Sequence, residues 1–396
     1  MLHAQSIGDL KSGIDSLVSK KALNPAIDRI DIFDIFRGDY NSDHQNPDSL
    51  AEIGQGPFFA ILPAAGYALQ SGYTGVVSVS TTFLTSHSEQ KVSSIQSDFN
   101  YSQNHQFWVN TNSLIYSDKL KLSFVGDWRM QSFPTNTYGL GSHSSVSDIA
   151  AISYNYIKFH QVALHEMFHD FFLGIGYHYD HYNDIDLISS ESGKITDFQK
   201  YGLSSSTTSS GISLDLVYDS RTSMVNPLNG AYVSFMYRDN GTALGSDKNW
   251  QSIVLDIRKY IPVPGNSNNI LAFWSYNNLI IKGDPPYLEL PFTAGDPYSN
   301  TQRGYVQGRF RGRKFISLES EYRYGILKNG LLGGVFFANI ASFSEWPSNQ
   351  FTGLLPAAGM GLRLKLNKHS NTNLAIDYAV GMNGSRGFFF NIGEVF

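Results

Sequence analysis

From Phe58 to Phe396 the chain alternates apolar and polar positions with a period of two, broken by clusters of Gly, Asn, Asp and Ser. That period puts successive side chains on opposite faces of a strand. Ile253, Leu255 and Ile257 alternate with Val254, Asp256 and Arg258. Leu374, Ile376, Tyr378 and Val380 alternate with Ala375, Asp377, Ala379 and Gly381. A single strand of this kind fits any sandwich, so number and spacing carry the argument. Sixteen candidate strands fall near 58–67, 74–85, 91–102, 105–116, 120–133, 151–163, 170–181, 211–219, 230–239, 250–260, 269–281, 313–324, 331–343, 356–366, 372–381 and 387–396. Most approach the ~9–11 residues of a tilted membrane strand and exceed the ~5–6 of a soluble sheet. The even count is what closure of a bacterial antiparallel barrel requires.

The connections sharpen this prediction. Those after odd-numbered strands include 134–150, 182–210, 240–249, 282–312 and 344–355. Those after even-numbered strands include 86–90, 117–119, 164–169, 325–330 and 367–371. Long loops at one end and tight turns at the other is the outer-membrane arrangement, and a sandwich has no reason to keep such parity. The predicted fold is therefore all-β, a 16-stranded antiparallel transmembrane β-barrel over 57–396. Residues 1–56 read as a periplasmic N-terminal segment, too short for a core of its own. Within it, Asp9–Val18 has weak helical spacing, Ile30–Phe33 is a short apolar patch, and 39–48 is polar and irregular. The start, Met1 to Gln5, reads either as the stub of a signal peptide cut after Ala4 or as an added start.

Composition agrees with a membrane barrel. The chain has 396 residues, 42% hydrophobic, 14% aromatic and 16% charged, too apolar for disorder and well below the charged quarter of a soluble protein. No apolar run reaches the roughly eighteen residues of a spanning helix. Thirty-six glycines, 23 tyrosines and 27 phenylalanines suit a sheet with one face in lipid and the other in water. Twenty-nine basic against 34 acidic residues give −5, with no footprint for nucleic acid. With no cysteine there is neither a disulfide framework nor a thiolate metal site.

Several patterns invite a chemical reading. His165-Glu166-Met167-Phe168-His169 is a literal H-E-x-x-H, which binds zinc only on a helix, where both imidazoles share a face. Here it falls at the predicted turn between strands 6 and 7, and in extended chain the two rings would stand about 13 Å apart. His178, Asp180, His181 and Asp184 could gather a divalent cation, but loop composition explains them as well. Trp108, Trp128, Trp250 and Trp274 read as an interfacial aromatic girdle rather than sugar-stacking platforms. No nucleophile elbow, P-loop or dinucleotide fingerprint appears. The expectation is a non-enzymatic protein without cofactor or metal.

The longest loop contains Gln302-Arg303-Gly304-Tyr305-Val306-Gln307-Gly308-Arg309-Phe310-Arg311. It resembles the (V/I/M)-R-G-(F/Y) motif of the BamA/TamA outer-membrane protein assembly (bacterial surface antigen) superfamily, with Gln302 in place of an apolar residue. Other stretches match the family in the right order. They are Phe58 to Pro63 with Gly66-Tyr67 in strand 1, Pro134 with Tyr138 to Gly141 in the third extracellular loop, Tyr218 to Arg221 with Pro227 and Gly230 after strand 8, and Glu321-Tyr322-Arg323 in strand 12. The resemblance implies that the sixth extracellular loop folds into the lumen, where its Arg meets acidic residues on the two following strands. A buried cation pins a loop only if a carboxylate meets it.

Two departures matter. Strand 13 of the family reads F-x-D-x-G, and here Phe337-Ala338-Asn339-Ile340-Ala341 lacks both the Asp and the Gly. Asn339 can accept a hydrogen bond from Arg303 without supplying charge, so Glu321 is expected as the principal counter-ion. Relatives also carry periplasmic POTRA domains ahead of the barrel, and residues 1–56 cannot hold one, which suggests a barrel-only member.

The end of the chain also fits the family. Phe388, Phe390, Ile392 and Phe396 alternate with Phe389, Asn391 and Gly393. A final strand ending on an aromatic residue looks like the signal read by outer-membrane assembly machinery. The resemblance further implies a weak seam between strands 1 and 16 that opens toward lipid and templates clients by strand addition. Pro63, Gly387 and Gly393 would weaken that seam, with Phe396 at its end. The function implied is assistance in inserting or translocating proteins, or lipids, at the outer membrane. Outer-membrane lipid and lipopolysaccharide would surround the barrel, and a separate periplasmic or outer-membrane protein subunit would serve it. The alternative is a passive pore or structural scaffold without insertase activity.

Overall fold

The computed structural model describes residues 30–37, 57–68, 71–84, 92–117, 121–190, 193, 195–264, 269–368 and 371–396. Sixteen long strands run β1 (Phe58–Ala68), β2 (Gly72–Leu84), β3 (Val92–Ser102), β4 (Phe107–Ser117), β5 (Leu122–Ser132), β6 (Ala150–Phe168), β7 (Phe171–Ser190) and β8 (Ser206–Asp219). They continue as β9 (Gly230–Asn240), β10 (Trp250–Pro262), β11 (Ile270–Gly283), β12 (Lys314–Gly325), β13 (Leu332–Phe343), β14 (Leu355–Asn367), β15 (Thr372–Gly381) and β16 (Arg386–Ile392). Each pairs antiparallel with its sequence neighbours through fifteen successive ladders. The result is a nearly closed, all-β antiparallel barrel. A three-residue strand, Thr135–Thr137, adds to the start of β6.

The alternation inverts that of a soluble sheet. Along β12, Ile316, Leu318 and Tyr322 face outward, with Leu318 59% exposed, while Glu319, Glu321 and Arg323 are buried. On β8, Ile212 and Leu214 are exposed, and Ser213 and Asp215 are buried. An apolar exterior over a polar interior is stable where hydrocarbon surrounds the sheet, since every backbone group between strands is already paired. The parity of the connections holds in the folded chain. Residues 133–149, 195–205, 241–249, 284–313 and 344–354 lie at one end, and most of the described turns at the other are short.

Three sequence expectations are corrected. β6 and β7 are 19 and 20 residues long, so their hairpin projects well beyond the usual span. Trp108, Trp250 and Trp274 are buried on the inward face, and only Trp128 of the four faces outward, stacked on Phe159. The inward rings find partners that lipid lacks: the Trp250 indole donates to Ser209 Oγ at 3.2 Å and that of Trp274 to Asp256 at 2.9 Å. The last strand ends at Ile392, so Gly393 and Phe396 lie beyond β16 rather than in it.

The helical spacing at Asp9–Val18 lies outside the described residues. Within 30–37 the structure shows one short helix, α1 (Ile32–Arg37). Asp31 and Asp34 each accept the other's backbone N–H, at 3.2 and 2.9 Å. Lys368, in the turn between β14 and β15, then ties the helix to the short-turn end of the barrel through Asp34, at 2.9 Å.

Candidate functional site

The connection from β11 to β12 is built around arginines. Arg311 donates from one guanidinium nitrogen to the carbonyls of Tyr287, Leu288 and Leu290, at 3.0, 3.3 and 3.1 Å, and so closes a single 3-10 turn (Tyr287–Glu289). Arg309 reaches the loop between β5 and β6, donating to the Ser144 carbonyl at 2.7 Å. Asp296 organises the next bend by accepting the N–H groups of Tyr298, Asn300 and Thr301. Burial nonetheless raises its carboxyl above the usual range.

Arg303 stands at the centre of the site. It is 2% exposed, and its guanidinium pairs with Glu319 and Glu321 of β12 and with Asp377 of β15, the last at 2.5 Å. Its Cζ lies 3.6 Å from the Phe337 ring centroid. Alternation on β12 is what makes this possible, because residues 319, 321 and 323 all point inward. Gly304 has φ +115°, and a Cβ there would come 2.7 Å from that of Ala357, so the close approach requires glycine. The Tyr305 hydroxyl donates to the Pro356 carbonyl at 2.7 Å and accepts the Met382 N–H at 3.0 Å. Its ring lies on Gly381, where no side chain would fit.

The structure therefore brings Arg303, Gly304, Tyr305, Glu321 and Asn339 together. Two roles differ from expectation. Glu321 shares the guanidinium with Glu319 and Asp377, which sequence reasoning missed. Asn339 donates its side-chain amide to the Arg303 carbonyl at 2.9 Å instead of accepting from the guanidinium. The inward alternation of β12 could have exposed Glu319. Asp377 could not be found that way, because its meeting with Arg303 depends on the stagger of strands three apart.

The opposite interior wall, from β5 to β9, pairs its charges within itself. Asp127 meets Arg129 at 2.7 Å and Lys158 at 2.6 Å. Asp180 meets His160 and Arg238, each at 2.8 Å, and accepts from the Tyr156 hydroxyl at 2.5 Å. A cavity of about 540 Å³ separates this wall from the 284–313 segment, and Arg129 reaches across to the Pro297 carbonyl at 3.2 Å. Glu289 borders the same cavity, and burial, reinforced by Asp180, pushes its carboxyl up to about 8.

The other patterns are dispersed by the fold. His165 is on β6, its Nδ1 donating to the Lys121 carbonyl (3.0 Å), while His169 projects from the turn into the open. His178 and Asp180 point inward, whereas the odd-numbered His181 lies on the other face with Thr208. Among the described residues no group of three metal-ligating side chains converges.

The remaining feature is where the sheet fails to close. β1 and β16 come within 8 Å of each other, yet among the described residues no backbone ladder joins them. Ile61 and Leu62, neighbours on opposite faces of β1, are 70% and 63% exposed. Pro63, beside them, has no N–H to offer a partner. Gly387 lies within β16, but Gly393 and Phe396 are not at this edge. Gly393 takes φ +90° and turns the chain inward, leaving Phe396 3% exposed.

Comparison with known proteins places this geometry. Residues 77–396 match the Omp85 superfamily domain. Among solved structures, the crystal structure of BamA from Haemophilus ducreyi lacking POTRA domains 1-3 is similar at 13% identity and a TM-score of 0.57, over 84% of this chain and 68% of that one. CdiB from Acinetobacter baumannii is similar at 11% identity and a TM-score of 0.51, over 85% of this chain and 59% of that one. At these identities the likeness speaks to the fold. No curated protein sequence matches the chain.

Proposed function

This chain belongs to the Omp85 superfamily, and from that membership we propose that it is an integral barrel of the bacterial outer membrane that assists insertion or translocation of proteins, or of lipids. Its apolar outer face would meet lipid and lipopolysaccharide, and a separate periplasmic or outer-membrane subunit would deliver clients. The observation that carries the reading is the unladdered edge between β1 and β16 in a sheet otherwise paired throughout. Unpaired N–H and C=O groups in hydrocarbon cost several kcal/mol each. A client strand that pairs there gains what the bilayer withholds, with no covalent step and no cofactor. On this reading, residues 284–313 fold into the lumen as a plug pinned by Arg303, and the seam is the working surface.

The test is reconstitution. Liposomes carrying the barrel should accelerate membrane insertion of an unfolded outer-membrane client over empty liposomes. An unchanged rate, together with a steady single-channel current, would instead favour the passive pore. Gentle detergent purification from native outer membranes should recover a stoichiometric second chain, and a barrel recovered alone would count against the subunit.

A further inference from the structure

The residues after β16 do not hang free. Gly393 donates its N–H to the Asn373 carbonyl at 2.6 Å, and Glu394 donates its own to Val225 in the turn between β8 and β9, at 2.9 Å. Glu394, Val395 and Phe396 are all buried. The Phe396 ring lies 5.1 Å from Trp274 and 6.3 Å from Tyr260, beneath the Arg323 guanidinium at 5.2 Å. Arg323 also donates to the Phe396 backbone oxygen at 2.8 Å.

The charges of this tail and those of the Arg303 site form one circuit. Arg303 pairs with Glu321, and Glu321 accepts from Arg323 at 2.7 Å. Arg323 lies 3.6 Å from Glu394, which accepts from Arg363 of β14 at 2.7 Å. Arg363 pairs with Asp377 at 2.5 Å, and Asp377 returns to Arg303. The six groups alternate in sign around a closed ring. Four of them sit on strands β12, β14 and β15, one on the 284–313 segment and one on the tail. A direct bond completes the link: Asn300 donates to the Val395 carbonyl at 2.8 Å.

We propose that residues 393–396 are a latch, docked inside the barrel and energetically coupled to the docking of Arg303. With either segment withdrawn, buried groups of the ring lose a partner of opposite charge, which makes each docked segment hold the other in place. Because the latch continues directly from β16, its release also frees the end of the strand that borders the open seam. Movement of the loop and loosening of the seam strand then become one event. This coupling is independent of what cargo the barrel handles.

The chain has no cysteine, so single thiols report cleanly. Thr301→Cys reports on the loop and Val395→Cys on the tail, both at positions that are now buried. The measurement is the rate of modification by a water-soluble maleimide in the folded, detergent-purified barrel. Glu394→Gln should raise the rate at position 301, and Arg303→Gln should raise it at position 395. Full undocking of either segment loosens the other by the same factor, so both cross-effects should have the same sign, and coupling of this kind is roughly 5–150-fold. If Glu394→Gln does not assemble, Glu394→Asp keeps the charge and withdraws it from Arg363, and should act in the same direction. Rates that rise only in the segment carrying the substitution would overturn the latch.

Discussion

The two interior walls of this barrel hold similar charges and use them differently. From β5 to β9, Asp127 and Asp180 are matched by cations on their own and neighbouring strands, and the wall is complete without the loop. From β12 to β15, Glu321 and Asp377 have cations of the scaffold in Arg323 and Arg363, but Glu319 has only Arg303, which the 284–313 segment supplies and which all three carboxylates share. A cavity lies along the self-sufficient wall, while the loop lies against the incomplete one. The difference teaches that buried charge holds a loop in place where the scaffold leaves a carboxylate, here Glu319, without a cation of its own. Where the scaffold pairs its own charges, it keeps a wall polar and open.

This contrast can be broken most severely at Arg303. Arg303→Ala should cost about 3–5 kcal/mol, because it strands the buried Glu319 carboxylate and takes one of two cations from Glu321 and from Asp377. Arg129→Ala, which leaves Asp127 with Lys158, should cost clearly less. The loss of the heat-resistant band on electrophoresis at rising temperature compares the two, and equal losses would erase the distinction. Next comes Gly304→Ala, expected to cost about 1–3 kcal/mol from the left-handed backbone and the contact with Ala357. Its signature is loosening of the loop with the barrel ladders intact, visible by hydrogen exchange.

A smaller effect belongs to Asn339. Asn339→Ala removes one hydrogen bond to the Arg303 carbonyl, about 1 kcal/mol. Asn339→Asp should be worse than Ala, since it loses the donor and adds a carboxylate to a site that already holds three. A stabilised N339D barrel would contradict this account of the charge balance.

The mildest perturbation is pH. Glu289 is held protonated by burial and by Asp180, titrating near 8 instead of its ordinary 4.5. The folded state therefore binds the extra proton between those values, and loop docking should weaken as pH rises from about 4.5 to 8, then level off. Hydrogen exchange in 284–313, compared with Glu289→Gln to cancel the intrinsic pH dependence of exchange, should show that slope only in the unsubstituted chain.

Much of the fold was legible in the sequence because a strand's two faces are a local signal. β12 reads correctly from the alternation of Ile316, Leu318 and Tyr322 with Glu319, Glu321 and Arg323. The counter-ions were legible only in part. Glu321 sits within a recognisable motif, whereas Asp377 meets Arg303 through the barrel's stagger, which no local pattern encodes. The tail was misread for a related reason. The alternation of Phe388 and Phe390 runs on visually to Phe396, but a glycine at positive φ ends the strand and sends the last residues inward. The inward tryptophans follow from partners such as Asp256 that are distant in sequence.

The central claim is that β1 and β16 part to receive a client. Cysteine pairs placed along β1 at Ile61 or Ala65 and along β16 at Phe388 or Phe390 can be oxidised to a disulfide in this cysteine-free chain. The measurement is client insertion in reconstituted liposomes before oxidation, after it, and after reduction. The account predicts that the disulfide stops insertion and that reduction restores it. Insertion that continues at full rate with the strands locked together would contradict it.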